Sequence, residues 1–134
     1  MRLTKRMEKL IGRERVCRVA TTGTSGVPHV VPVVHVLVDG KVCFASERTA
    51  KKVEHLRTNP YAAVTVDLYA EDWSGLKGVM VQGPTRLIDA GPRFRKLRKL
   101  LYEKYPQYPE EAAIEEGDVI VELTPRHVFA WGLG

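Results

Sequence analysis

Cysteine is nearly absent: the 134 residues hold two, Cys17 and Cys43, with no C-x-x-C spacing. Two thiols cannot build a disulfide framework, and both lie in apolar, strand-like runs, so they read as buried core thiols. Aromatic residues make up only 7%. No RNP-like aromatic strand and no C₂H₂ pattern accompany them, which argues against the usual nucleic-acid modules. The four histidines, His29, His35, His55 and His127, are scattered. They show neither H-E-x-x-H nor H-x-E…C-x-x-C, so no metal site is expected. No apolar run reaches the roughly 18–20 residues of a membrane-crossing helix. The basic start, Met1-Arg2-Leu3-Thr4-Lys5-Arg6, has no apolar segment behind it. No secretory leader is therefore expected, and the expected compartment is the cytoplasm. There is no internal repeat, low-complexity tract or linker, so residues 1–134 read as one domain.

Lys and Arg total 21 against 16 Asp and Glu, a net charge of +5. The surplus is local. Arg93, Arg95, Lys96, Arg98 and Lys99 crowd one stretch, and five acids follow within residues 110–118. A charge run on a helix is ordinarily a solvated face, so nucleic acid is not the expected partner.

Hydrophobic periodicity predicts an amphipathic helix over 3–12, with Leu3, Met7, Leu10 and Ile11 inward and Gly12 closing it. Strands follow at 16–22, 28–38 and 41–45. Asp39-Gly40 joins the last two as a hairpin turn with positive φ at both positions. Pro32 lacks an N–H and places its strand at an edge or bulge. Residues 49–58 read as a helix with Val53 and Leu56 inward, Thr49 as N-cap and Asn59-Pro60 as its stop. Strands at 61–69 and 77–89, the second bent at Gly83-Pro84, lead to a basic helix at 92–104. Residues 105–116 read as a loop, and two short strands at 118–123 and 126–131 finish the chain. About seven strands and three helices, mostly in hairpin succession, predict a mainly β (α+β) fold. The expected architecture is a small antiparallel barrel of six to seven strands with about three helices outside.

One stretch has a chemical reading of its own. Ser46-Glu47-Arg48-Thr49 ends a strand, and Lys51-Lys52 open the next helix. Hydroxyls, first-turn N–H groups and two ammonium groups at a helix start suit a phosphate.

The ordered set of motifs resembles the flavin-binding split-barrel superfamily that contains pyridoxamine 5′-phosphate oxidase. The residues carrying the resemblance are Arg18-Val19-Ala20-Thr21, Gly26-Val27-Pro28-His29-Val30-Val31-Pro32-Val33, and Val42-Cys43-Phe44-Ala45-Ser46. Lys51-Lys52, Leu56 to Asn59-Pro60, Val79-Met80-Val81-Gln82-Gly83-Pro84, and Pro125-Arg126 to Trp131 continue it. The loop from Asp67 to Leu76 is similar to a branch described as dependent on the deazaflavin coenzyme F-420.

The resemblance implies that the backbone of Pro32-Val33-Val34 lies along the isoalloxazine edge. It implies that Ala45-Ser46 and Lys51-Lys52 hold the cofactor phosphate, in agreement with the charge argument. Gly78 takes the place of a polar amide that contacts the ring, with Gln82 on the same strand face. Trp131 matches an aromatic that approaches the cofactor across a homodimer. The implied cofactor is FMN or F-420, with no choice between them. Related barrels bind haem, for which His35 or His127 would be the ligand. The implied activity is hydride transfer to an unnamed small molecule, with no catalytic side chain identified. The alternative is a carrier of flavin or haem without turnover. Positions Val31 and Val36 lack the family's basic residues, and Gly134 follows Trp131 closely. Oxidation of the vitamin itself is therefore not expected.

Overall fold

The computed structural model describes residues 2–133. Eight strands run antiparallel: β1 (Cys17–Thr22), β2 (Pro28–Val33), β3 (Val36–Val38), β4 (Lys41–Ser46), β5 (Tyr61–Leu68), β6 (Lys77–Ile88), β7 (Val119–Leu123) and β8 (His127–Trp131). Four α-helices join them: α1 (Lys5–Arg13), α2 (Lys51–Thr58), α3 (Gly91–Lys104) and α4 (Tyr108–Glu111), with a single 3₁₀ turn at Trp73–Gly75. The strand order is β2-β1-β5-β6-β7-β4-β3, and β8 pairs with β6.

The long strand β6 makes this a split barrel. Its first half, Lys77–Pro84, pairs with β5, and Gly78–Gln82 also pairs with β8. Its second half, Thr85–Ile88, pairs with β7. One half-barrel is β2-β1-β5-β6-β8; the other is β6-β7-β4-β3. The expected bend at Gly83-Pro84 lies at this change of partner. A β-carbon on Gly83 would sit 1.8 Å from the Thr124 carbonyl oxygen, so only glycine lets the β7–β8 corner cross β6.

Two apolar clusters fill the barrel and its flank. Val19, Val42, Phe44, Val53, Leu56, Val64, Val66, Val79, Val81 and Val121 form the barrel core together with Leu10 and Ile11 of α1. Phe94, Leu97 and Leu101 of α3 pack with Cys43, Ile88, Tyr105 and Ile120 outside β4 and β7. The two thiols fall in different clusters, both buried, and desolvation pushes each up to about 12. Asp39 and Gly40 both have positive φ, 53° and 74°, as the hairpin requires. β2 is an edge strand, which is where Pro32 can stand.

The structure corrects several boundaries. The run 28–38 is not one strand. Val34-His35 turns a corner, so β2 joins one half-barrel and β3 the other. Alternating β-branched residues continue through the corner and hide it from a periodicity reading. Gly12 does not close α1, which continues to Arg13 with Glu14 as C-cap. Its start is fixed by a capping box in which Thr4 accepts from the Met7 N–H. Ala50, not Thr49, is the N-cap of α2, and it offers no side-chain acceptor. Within the loop read at 105–116, residues 108–111 form the short helix α4.

His35, at the β2–β3 corner, is fully buried and tied to both flanking helices. Its Nε2 lies 2.7 Å from the Ile11 carbonyl oxygen, so Nε2 carries the proton and donates. Its backbone N–H donates to the Tyr105 hydroxyl at 3.1 Å. That hydroxyl lies 2.8 Å from both the His35 and Arg15 carbonyl oxygens, between which its one proton is shared. Lys104 donates to the Glu14 carbonyl oxygen at 2.8 Å, and Arg15 to that of Lys104 at 2.9 Å. The end of α1, the corner and the end of α3 thus form one polar joint.

Candidate functional site

The residues singled out in the sequence fall into two groups. The first gathers where β4 ends and α2 begins. Val34 and Ala45 pack against the cluster under α3, while Val33 and Ala50 pack against the barrel core. Pro32 points the other way, exposed on the outer face opposite Arg18. Ser46 ends β4 opposite Val119. Five residues later α2 starts, with Lys51 exposed and Lys52 half-buried in its first turn. The N-terminal N–H groups of α2 have no side-chain cap, which leaves that end open to an anion. Desolvation lowers the pKa of Lys52, and the nearby Glu47 carboxylate partly offsets this.

A cleft of about 460 Å³ adjoins this group, lined by Ala45, Ser46, Glu47, Tyr108, Ile114 and Asp118 among others. Glu47, Glu115 and Asp118 border it, so it is unsuited to a phosphate on that side. The Ser46 hydroxyl donates to the Glu47 carbonyl oxygen at 3.2 Å. An anion held by Lys51 and Lys52 would therefore sit on the α2 side of Ser46.

The second group lies on the outer face of the β2-β1-β5-β6-β8 half-barrel. Strand alternation sends Val79 and Val81 into the core and Gly78, Met80 and Gln82 outward. Gly78 pairs with Trp131, Met80 with Phe129 and Gln82 with His127. The Trp131 indole lies over Gly78: a β-carbon there would come 2.2 Å from Trp131 Cζ2. The sequence reading gave Gly78 and Trp131 separate roles, yet they form one unit in which the glycine makes room for the ring. Phe129 stacks beside Trp131, with ring centroids 5.8 Å apart. Gln82 lines a separate shallow cleft with Ala20, Thr22, Asn59, Tyr61 and Ala63.

Across this face the register aligns two rows of side chains, most of them small or apolar. One row is Val30, Ala20, Ala63, Gln82 and His127; the next is Pro32, Arg18, Thr65, Met80 and Phe129. Val30 and Phe129 are 64% and 62% exposed. Arg18 is paired with Asp67 at 3.3 Å, which neutralises the main charge on the face. Sequence reasoning missed this surface as a unit, although outward Val30, Met80 and Phe129 are legible once the strand registers are known.

The two haem-ligand candidates differ sharply. His35 is sealed in the core with Nε2 engaged by Ile11, so it cannot reach iron. His127 is exposed at the start of β8. A third histidine contact was not foreseen. His29 and His55 meet edge to face with centroids 5.7 Å apart, and His55 Nδ1 lies 3.0 Å from the Thr21 hydroxyl. Among the described residues, no group of three or more His, Cys, Asp or Glu side chains is arranged to hold a metal ion. None of their helices is long and apolar enough to cross a membrane.

Several solved structures share this fold. A conserved hypothetical protein of Mycobacterium tuberculosis superimposes with a TM-score of 0.84 at 18% identity, over 96% of this chain and 84% of its own. HutZ, the heme storage protein of Vibrio cholerae, gives 0.80 at 14% identity, over 96% and 94%. A FAD-binding protein of Mesorhizobium loti gives 0.77 at 24% identity, over 96% and 94%. No curated protein sequence matches significantly. The sequence profile described as pyridoxamine 5′-phosphate oxidase matches residues 3–132. With that match over nearly the whole chain and a split barrel folded to suit it, the chain belongs to the pyridoxamine 5′-phosphate oxidase family, whose fold binds flavin.

Proposed function

We propose that the protein is an oxidoreductase that works as a homodimer and binds FMN or F-420 between its subunits. The observation that carries the reading is the start of α2, which no side chain caps and whose first turn carries two lysines, five residues on from Ser46. This end fits a phosphate monoester or diester, which both cofactors carry. The ring end is supported by the apolar edge at Val33-Val34 and by Gly78 with Trp131. When bound, the cofactor supplies hydride transfer; the chain's own residues bind, orient and exclude water. Val33 and Val34 would line the ring edge, and Lys51, Lys52 and Ser46 would fix the phosphate. No side chain is assigned an acid or base role.

The separation of the two groups supports the dimer. Ala45 and Ser46 line one cleft, Trp131 a second and Gln82 a third. A second copy laid on the outer sheet face would bring its aromatic pair towards the phosphate group of the first. It would also cover Val30, Met80 and Phe129.

The deciding experiment is titration of the purified protein with FMN, with F-420 and with haem, followed in the visible spectrum. Saturable uptake of one of the first two is expected. Lys51→Ala/Lys52→Ala should weaken it by roughly tenfold or more, because charge-assisted contacts contribute about 1.5–3 kcal/mol when desolvated and less at an exposed lysine. Unchanged affinity in that variant would move the phosphate elsewhere. Hydride transfer from the reduced cofactor to an acceptor then distinguishes an enzyme from a carrier. Haem uptake alone would favour the carrier reading, which is supported by the likeness to heme-binding structures.

The dimer has its own test. Phe129→Glu places a charge on the outer sheet face, at its β8 edge. Light scattering should then report a monomer and cofactor uptake should fall with it. A variant that stays dimeric would place the interface elsewhere.

A further inference from the structure

The cleft on the far side of Ser46 from α2 is closed to phosphate, but its two walls fit a different ligand. One wall is apolar and aromatic, made by Tyr108, Ile114 and Ala45. Tyr108 belongs to a cluster of three tyrosine rings, with centroids 5.7 Å from Tyr102 and 6.2 Å from Tyr105. The Tyr102 hydroxyl accepts the Ile114 N–H at 2.9 Å, and Arg98 donates to the Ile114 carbonyl oxygen at 3.4 Å. The segment after α4 is therefore pinned to α3, and the wall is fixed. Two of the three phenols are engaged, Tyr102 by Ile114 and Tyr105 by the joint with His35. The Tyr108 hydroxyl has no hydrogen-bond partner among the described residues. Burial raises its pKa, so it stays a neutral donor and acceptor beside the cleft. A half-buried phenol left without a partner is a group the fold keeps open for a ligand.

The other wall carries charge of one sign. The carboxylates of Glu47, Glu115 and Asp118 border the cleft, and no lysine or arginine lines it. Among the described residues, no cation lies within 4 Å of any of the three. The chain as a whole has a net charge of +5, so this cleft runs against the balance of the molecule. Glu115 and Asp118 are held by a turn. The Asp118 carboxylate accepts the Glu115 N–H at 2.8 Å, the Asp118 N–H donates to the Glu115 carbonyl oxygen at 3.0 Å, and Gly117 between them has φ +97°.

The volume of about 460 Å³ lies within the roughly 300–1,000 Å³ of ordinary small-molecule pockets. A bare metal ion would leave the aromatic wall uncovered. An uncharged apolar molecule would strip water from the carboxylates and give nothing in return. An ammonium group on an apolar body satisfies both walls, and the face of Tyr108 adds its own attraction for a cation.

We propose that this cleft binds a small organic cation, an ammonium group carried on an apolar, planar body. The ammonium would face Glu47, Glu115 and Asp118, and the body would rest on Tyr108 and Ile114. The site is separate from the α2 phosphate site and does not depend on the flavin reading.

The test uses the cofactor-free full chain, titrated by calorimetry at low salt. The probes are phenethylamine, its anionic counterpart phenylacetate, and calcium chloride. Saturable binding of phenethylamine is expected, weakened by added salt, with phenylacetate at least about tenfold weaker. Glu47→Gln/Glu115→Gln should raise the dissociation constant by about fivefold or more. Tyr108→Leu should raise it by about threefold or more, and Tyr108→Phe, which keeps the ring, by less. Glu8→Gln/Glu71→Gln removes two carboxylates elsewhere and should leave it within about twofold. If Tyr108→Leu fails to fold, as its melting curve would show, the glutamate pair and Tyr108→Phe decide. The proposal is overturned by no saturable binding, by an equal loss in the Glu8/Glu71 variant, or by no loss in the Glu47/Glu115 variant. Phenylacetate binding as tightly as the amine overturns it as well. Calcium binding as tightly as phenethylamine would make the cleft a plain acidic rim and overturn it too.

Discussion

Arg93→Ala is expected to lower the unfolding free energy by about 3 kcal/mol, because it strands a carboxylate inside the protein. Glu122 on β7 is only 3% exposed. Both Nε and Nη2 of Arg93 donate to its Oε2, at 2.9 and 2.6 Å. The other cation near it, Lys41, stands 3.9 Å from Oε1. Arg93 also reaches Asp39 at 3.4 Å, so one guanidinium ties α3 to β7 and to the β3–β4 turn. Truncation leaves Glu122 buried with one distant ammonium, and burial of a poorly paired carboxylate costs several kcal/mol. Urea denaturation should show a lower midpoint at unchanged slope, with the melting temperature down by about 10 °C. Replacing both partners, Arg93→Met with Glu122→Leu, should recover most of the loss, since neither charge then needs a partner. A loss under about 1 kcal/mol in the single variant would mean that Lys41 takes over the pairing.

The second large effect is on acid stability. Burial pushes His35 down to about 4 from its ordinary 6.5; the hydrogen bond to the Ile11 carbonyl opposes this, while Lys104 and Arg15 reinforce it to a lesser degree. The folded state therefore keeps His35 neutral where the unfolded chain already binds a proton. Its contribution to stability is fully present above pH 6.5 and is lost as pH falls through about 4. Over that window the loss approaches roughly 3 kcal/mol from this one group. A structural reason accompanies it. With Nε2–H committed to Ile11, the added proton would go on Nδ1, which is buried with no acceptor. Tyr105, Lys104 and Arg15 face the ring's surroundings and offer no carboxylate to receive it. His35→Gln keeps a donor for Ile11 and removes the titration. Its unfolding free energy should fall less steeply between pH 6.5 and 4 than that of the parent. Parallel curves would show that His35 does not govern acid sensitivity.

Much of the fold was legible because its signals are local. The Asp39-Gly40 turn, the stop at Asn59-Pro60 and the inward Val53 and Leu56 each depend on a few neighbouring residues. The missed corner at Val34-His35 shows the limit. Val33, Val34 and Val36 are equally at home in either half-barrel, and only pairing with Cys17 on one side and Cys43 on the other divides them. The basic helix shows it again. Arg93, Arg95, Lys96, Arg98 and Lys99 look alike in sequence, yet Arg93 turns inward to a carboxylate 29 residues away. The candidate site was legible in part. The uncapped helix start with two lysines is a local pattern, whereas the contact of Trp131 with Gly78 spans 53 residues and appears only in the β6–β8 register.

By itself the sequence determined the mainly β class, the hairpin turns, the burial of both thiols and the cationic start of α2. Backbone preference and side-chain alternation are set within a few residues. Tertiary structure alone decided that β6 serves two half-barrels and that His35 is locked in a joint between α1 and α3. It also decided that the predicted site residues divide between the α2 end and the outer sheet face. Those outcomes follow from which distant strands pair and where the barrel folds back on itself. Chain neighbours do not encode that choice; it is made by the joint packing of the whole core.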